Sequence, residues 1–190
     1  MNRFFSWVDR LATPRRLVIL TVLEILLLAG ENGLDFPLSV PFMRRATGHP
    51  YLDMCAFCSA SEIRAQLDDF GELGRRLQLT LMPTIDVVIP VVSCAFGSVA
   101  LALLLRGRGG AWSRWVRLLP LSALALDFSE NAGIFALLTA YPRHFDRVAA
   151  LTGLLSGMKF CAYATTVLVI VALTGALFGG RARDPSGRGA

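Results

Sequence analysis

The sequence predicts an all-α integral membrane protein: a bundle of four spanning helices with an amphipathic helix in the outer loop. Hydrophobic residues make up 54% of its 190 residues, whereas soluble domains contain about 45–50%. The mean hydropathy is accordingly positive, at +0.55. Most of the excess lies in four blocks, and arginines flank each of them. These blocks are the predicted spans of a single domain over residues 1–178, at about residues 16–34, 77–105, 118–141 and 149–178.

The first span is the shortest of the four. A helix needs roughly 20 apolar residues to cross a hydrocarbon core of about 30 Å. Here the apolar stretch, residues 17–30, has only 14 residues and is interrupted by Glu24. Thr13 and Pro14 precede it and suit the cap and first turn of a helix. A cleaved signal peptide is the alternative. Glu24 within the apolar stretch and the lack of a small-residue cleavage site argue against it.

Two amphipathic helices are predicted outside the spans. The N-terminal segment repeats apolar residues at helical spacing, as expected for a short interfacial helix: Phe4, Trp7, Val8 and Leu11. The outer loop, residues 35–76, starts with an irregular proline-containing part. It continues with Ser59 and Glu62 at capping-box spacing and an apolar series, namely Ile63, Leu67, Phe70, Leu73 and Leu77. Gly71 and Gly74 are expected to bend its end, and residues 179–190 are predicted to form a disordered cytoplasmic tail.

The arginines indicate topology rather than nucleic-acid binding. The net charge is +5, but the basic residues flank apolar spans, so no nucleic-acid partner is expected. One side would carry 11 arginines: Arg3, Arg10, Arg15, Arg16, Arg106, Arg108, Arg114, Arg117, Arg181, Arg183 and Arg188. The other would carry 7: Arg44, Arg45, Arg64, Arg75, Arg76, Arg143 and Arg147. The positive-inside rule then places both termini in the cytoplasm of a multi-pass protein of the bacterial inner membrane.

Ionisable residues inside the spans form the candidate ligand or ion site. Asp127, Glu130 and Asn131 share one helical face, because they are three and four residues apart. Asp86, Glu24 and Lys159 fall at similar depth in the other three spans. Lys159 is the only lysine of the protein, so four carboxylates face one ammonium group. Such groups are expensive in a membrane and indicate function by default.

Three functions fit this set, and the sequence alone does not choose among them. The acidic interior could bind or pass a proton, a cation or a polar headgroup. Since four spans are few for a transporter, passage predicts a homodimer or larger assembly. Alternatively, the carboxylates could be the acid and base of an enzyme acting on a lipophilic small molecule. The third interpretation is an accessory or scaffold subunit whose polar network only fixes helix packing. No cofactor and no metal site are specified.

Two further motifs have structural and functional interpretations. Cys55 and Cys58 form a Cys-x-x-Cys pair in the outer loop, where a redox role or a disulfide is open. Four-helix membrane thiol oxidoreductases would require more paired cysteines than this chain has. Gly153 and Gly157 form a Gly-x-x-x-Gly motif, which is typical of helix packing. Pro83 and Pro90 flank Asp86, where they would kink the helix or free backbone carbonyls for a cation.

Three segments carry a resemblance to known proteins. They are the helix over residues 62–76 that ends Gly71-x-x-Gly74-Arg75, Asp86 within a proline-containing span, and Asp127-x-x-Glu130-Asn131. On these residues, about half of the chain resembles a group of small four-span prokaryotic membrane proteins of unassigned function. The resemblance implies a four-helix membrane fold and no particular activity.

Overall fold

The computed structural model describes residues 2–107, 110–143 and 145–182, and no β-strand occurs among them. Within these ranges nine α-helices follow one another, and a 3₁₀ turn lies at Leu52–Met54. The helices are α1 (Asn2–Leu11), α2 (Pro14–Gly33), α3 (Val40–Thr47), α4 (Ala60–Asp69), α5 (Gly71–Leu81), α6 (Ile85–Leu104), α7 (Ala111–Val116), α8 (Leu119–Ala140) and α9 (Asp146–Ala182). The all-α prediction is therefore confirmed.

Three helical segments of the described chain are long and apolar enough to cross a membrane: Gly71–Leu104, Trp112–Ala140 and Asp146–Leu177. They correspond to the second, third and fourth predicted spans, and each ends one residue before the predicted boundary. The first predicted span is α2, a helix of 20 residues. It is not among the three, since Arg15, Arg16, Glu24 and Glu31 interrupt its apolar surface. Thr13 does cap it as expected, by accepting a hydrogen bond from the amide of Arg16 at 3.3 Å.

The long helices pack around α6 and α8. The most extensive contact joins α8 to α9, and α6 contacts α2, α8 and, to a lesser extent, α9. Gly133 allows α8 to approach α9 closely, because a Cβ atom there would collide with Thr152. Pro90 lies inside α6 and is buried. This arrangement points one face of each long helix toward a shared interior.

The outer loop is more helical than the sequence predicts. Residues Val40–Thr47, expected to be irregular, form α3, which Ser39 caps through the amide of Phe42. The predicted capping box of Ser59 and Glu62 is present at the start of α4. The amphipathic helix is divided into α4 and α5 at Gly71, whose φ of +59° favours glycine. The bend expected at the glycines therefore becomes a break.

Two buried glutamines fix the 3₁₀ turn against the outer helices. The amide of Leu52 donates a hydrogen bond to Oε1 of Gln78 at 2.9 Å. Nε2 of Gln66 donates to the carbonyl oxygen of Pro50 at 2.7 Å. Oγ of Ser156 on α9 donates to the carbonyl of Asp53 at 3.0 Å. The turn is thus held between α4, α5 and α9, with Asp53 over the interior of the bundle.

Gly153 and Gly157 accommodate a loop instead of another helix. A Cβ atom at Gly153 would overlap the carbonyl of Cys58, and one at Gly157 would overlap the ring of Phe57. The amide of Phe57 also donates to the carbonyl of Gly153 at 2.9 Å. The helix-packing interpretation of this motif is therefore wrong, because the bare helix surface receives the outer loop. Cys55 and Cys58 are joined there in a disulfide.

At the end of the bundle away from the disulfide, α1 packs on α6 and forms the predicted short helix before α2. Nη1 of Arg117 donates to both carboxylate oxygens of Asp9, at 2.8 and 3.0 Å. The helix α9 continues to Ala182. The remaining residues of the predicted tail, 183–190, lie outside the described part of the chain.

Candidate functional site

A cavity of about 370 Å³ lies between α2, α6, α8, α9 and the 3₁₀ turn. One part of its wall is acidic and another is apolar. Four of the six predicted site residues line it directly, and each comes from a different helix. They are Glu24, Asp86, Asp127 and Lys159. The convergence of the four long helices on a polar interior, expected from the depth of these residues, is present.

Lys159 forms an ion pair with Glu130 at the edge of this cavity. Its Nζ atom lies 2.5 Å from Oε2 of Glu130 and 3.8 Å from Oδ2 of Asp127. The Glu130 side chain is completely buried, and the side chains of Lys159 and Asp127 are 6% and 8% exposed. The positive charge of Lys159 therefore compensates the negative charge of Glu130 more than that of Asp127.

Asp127 is held by two further side chains. The hydroxyl of Tyr163, one turn beyond Lys159 on α9, donates to Oδ2 of Asp127 at 3.2 Å. Nδ2 of Asn131, one turn along α8, donates to Oδ1 at 3.3 Å. The carboxylate is thereby oriented toward the cavity, and Asn131 acts as a supporting residue.

Pro90 explains why Asn131 also contacts α6. Proline has no backbone N–H, so the carbonyl four residues earlier loses its helical donor. That carbonyl belongs to Asp86, and Nδ2 of Asn131 lies 3.4 Å from its oxygen. The prediction that a proline frees a backbone carbonyl near Asp86 agrees with this geometry. That carbonyl accepts a hydrogen bond from the side-chain amide of Asn131.

Three carboxylates at the cavity keep an oxygen without a hydrogen-bond partner among the described residues, and one of them is Asp53, through its Oδ1 atom. Asp86 is only 7% exposed, and its Oδ2 atom is unpartnered. Glu24 accepts a hydrogen bond from Oγ of Ser93 at 2.5 Å, while its Oε2 atom has none. Buried polar atoms are almost always paired, so these oxygens are candidate contacts for a ligand.

The structure adds site residues that the sequence interpretation missed. Glu31, Asp53, Ser93 and Tyr163 also line the cavity. Glu31 lies seven residues after Glu24, two turns along one face of α2, and Tyr163 lies four after Lys159, so helical spacing could have found both. Helical spacing could not have predicted Asp53, because this residue belongs to the outer loop and not to a span.

The charge of this region is strongly negative. Six carboxylates lie in or beside the cavity, and Lys159 is the basic side chain that pairs with them. Arg75 of α5 forms an ion pair with none of these described carboxylates. Its guanidinium lies 3.9 Å from the centroid of the Tyr141 ring and donates to the carbonyl of Leu67. The negative field extends outward: burial and then Asp53 raise the pKa of Tyr51.

The carboxylates are spread along the wall instead of meeting at one point. Among residues 2–107, 110–143 and 145–182, no group of three or more His, Cys, Asp and Glu side chains is arranged to hold a metal ion. The disulfide of Cys55 and Cys58 follows Asp53 closely in the chain but does not line the cavity. The geometry therefore offers distributed negative charge rather than a compact coordination sphere.

Comparison with known proteins gives no additional assignment. No protein-family model matches the chain, and no match was found among curated proteins or solved structures.

Proposed function

We propose that the protein is a four-span protein of the bacterial inner membrane whose acidic interior binds a cation. In this proposal α2 is the first span, both termini are cytoplasmic, and the outer helices cover the cavity. The packing of α2 along α6 and the position of Glu24 within the shared interior support a spanning role for α2. The resemblance to small four-span prokaryotic membrane proteins agrees with this arrangement.

The observation that carries the proposal is the carboxylate of Asp86. Only 7% of this residue is exposed to solvent, and its Oδ2 atom, at the cavity wall, has no hydrogen-bond partner among the described residues. An unpaired buried charge costs several kcal/mol. A bound cation would offset that cost, and Asp53, Glu31 and Asp127 would add to its attraction.

The cavity suits a small organic cation better than a bare metal ion. Its volume of about 370 Å³ falls within the roughly 300–1,000 Å³ of small-molecule sites. Leu28, Ile89 and Val167 add apolar surface to the cavity wall. Nζ of Lys159 lies 5.2 Å from the ring centroid of Phe160, which also lines the cavity. The ring therefore already has the ammonium group of Lys159 beside it, and it offers apolar surface to a ligand.

Lys159 sets how much charge the ligand must supply. Because its ammonium pairs mainly with Glu130, the acids on α2, α6 and the 3₁₀ turn remain for the ligand. An amine, a quaternary ammonium compound or the amine of a lipid headgroup has the required charge and an apolar body. If the cation is also passed across the membrane, a dimer or larger assembly is expected, since a single bundle has only four spans.

The test is the binding of a graded series of cations to the purified protein in detergent. Sodium, tetramethylammonium and benzyltrimethylammonium would be compared at constant ionic strength by calorimetry and thermal unfolding. We expect benzyltrimethylammonium to bind most tightly, because its ring contacts the apolar lining while its charge interacts with the acids. Its binding should also raise the unfolding temperature by mass action.

Asp86→Asn should remove this binding, and Glu72→Gln is the matched control. Glu72 is an exposed acid of α5 that pairs with Arg76 on the same helix. Equal binding of benzyltrimethylammonium by the parent and by Asp86→Asn would contradict the proposal. So would an equal effect of all three cations, which would indicate general screening of surface charge.

A further inference from the structure

A second cavity lies between α1, α2, α6 and α8, at the end of the bundle away from the disulfide. Its volume is about 370 Å³. Apolar side chains of three long helices form its wall, in particular Leu20, Val91, Ala95, Val99, Leu121 and Leu124. The wall belongs to the proposed spans, so this groove lies at the depth of lipid acyl chains.

Arg16 joins this groove to a basic recess. Its side chain lines the apolar groove and also a neighbouring recess of about 460 Å³. Arg10 and Arg15 line the same recess, together with Thr13. The apolar groove therefore ends at three guanidinium groups around the turn between α1 and α2.

Among the described residues, no acid forms an ion pair with Arg10, Arg15 or Arg16. Asp9 is the only acid in residues 1–17, and both of its oxygens are taken by Arg117. Arg10 and Arg16 donate to backbone carbonyls, those of Ser6 at 3.3 Å and Leu11 at 2.8 Å. Each guanidinium has five N–H donors, so several remain for a ligand.

A fourth arginine strengthens the same patch. Nη2 of Arg106 donates to the carbonyl of Ala12 at 2.9 Å, which places it beside the α1–α2 turn. The loop around and after Arg106 adds no negative charge to the patch, because residues 105–118 contain no acid. The patch thus combines net positive charge with an adjoining apolar groove at the expected level of the headgroups.

We propose that this groove binds one anionic phospholipid, with an acyl chain along α6 and α8 and its phosphate at Arg10, Arg15 and Arg16. Arginine pairs with phosphate through charge-assisted hydrogen bonds, and basic clusters at the interface select anionic lipids. A zwitterionic lipid lacks the net charge, and a soluble anion leaves the apolar groove empty. The site is separate from the acidic cavity and does not depend on the function proposed for it.

The experiment uses the full chain, purified and delipidated in a nonionic detergent. Phosphatidylglycerol and phosphatidylcholine with identical acyl chains would be titrated, with binding followed by native mass spectrometry and thermal unfolding. We expect phosphatidylglycerol to bind about tenfold or more tightly than phosphatidylcholine, because of three nearby arginines. The combined variant Arg10→Gln, Arg15→Gln and Arg16→Gln should lose this preference.

The control for total charge is the combined variant Arg44→Gln, Arg143→Gln and Arg147→Gln, since these arginines are exposed at the other end of the bundle.

A second pair of variants tests the groove independently of charge. Ala95→Phe fills the groove and should weaken phosphatidylglycerol binding. Ala125→Phe should not, because Ala125 is exposed outside the groove.

Three results would overturn the proposal. The first is equal affinity for the two phospholipids. The second is an equal loss of preference in the control for total charge. The third is a stabilisation by inorganic phosphate that matches that of phosphatidylglycerol and survives Ala95→Phe, because this would indicate a site for free anions.

Discussion

The ammonium group of Lys159 lies 2.5 Å from Oε2 of Glu130 but 3.8 Å from Oδ2 of Asp127. The one lysine of the protein is therefore not shared equally between the two acids of α8. Glu130 does not line the cavity and is paired with Lys159, whereas Asp127 lines the cavity and is held by Tyr163 and Asn131. This division separates a residue that stabilises the bundle from residues that are available to a ligand.

Replacement of Lys159 by Met should be strongly destabilising. It leaves Glu130 as an uncompensated buried charge, and breaking a buried ion pair costs about 3–5 kcal/mol. Glu130→Gln should cost less, because Asp127 remains beside the ammonium group. The double variant Lys159→Met, Glu130→Gln should recover most of the loss. Unfolding in detergent measures all three, and a Lys159→Met protein as stable as the parent would show that the pair is not a structural unit.

Asp86→Asn should separate stability from binding. Since Oδ2 of Asp86 has no described partner, removal of its charge should leave the unfolding temperature unchanged or higher, while binding of benzyltrimethylammonium is lost. Calorimetry measures the binding, and thermal unfolding of the same preparation measures the stability. A large loss of stability without a change in binding would instead indicate the scaffold interpretation.

The Ser59–Glu62 capping box predicts a dependence of stability on acidic pH. Oε2 of Glu62 accepts hydrogen bonds from Oγ and the amide of Ser59, both at 2.7 Å, and these hold the pKa of Glu62 below its ordinary value of 4.5. A lowered pKa stabilises the folded protein above about pH 4.5, and this contribution is lost as the pH falls through the folded value. Glu62→Gln should remove that part of the pH dependence. Identical acid profiles for the variant and the parent would show that the box is absent in solution.

The disulfide should be dispensable for folding. Cys55 and Cys58 are three residues apart, and a short closed loop constrains the unfolded chain little. The variant Cys55→Ser, Cys58→Ser should therefore insert into the membrane and retain most of its thermal stability. Western blotting of membranes and unfolding of the purified variant test this. Disappearance of the variant from the membrane would show that the disulfide is a structural requirement.

Topology can be measured with single cysteines in a cysteine-free background. Ser61→Cys on α4 should react with an impermeant maleimide from the periplasmic side. Trp115→Cys on α7, whose parent residue is 72% exposed, should react from the cytoplasmic side. These outcomes follow from the distribution of arginines. Reversed labelling would invert the proposed orientation but leave the fold unchanged.

The sequence by itself determined the features that depend on neighbouring residues. Apolar length predicted the three segments that can span a membrane, and local hydrogen-bonding chemistry predicted the cap at Thr13 and the capping box at Ser59. Helical spacing placed Asp127 and Asn131 on one face. The same local signals were insufficient for α3, whose cap at Ser39 was not recognised among the surrounding prolines.

Only the tertiary structure decided which of these groups meet. The preference of Lys159 for Glu130 depends on the rotation of α9 against α8, which hydropathy does not encode. The entry of Asp53 depends on the path of the outer loop, fixed by Gln66 and Gln78 from distant helices. The physical reason is that a span's sequence sets its length and its polar face, whereas the contacts of that face arise from packing between residues far apart in the chain.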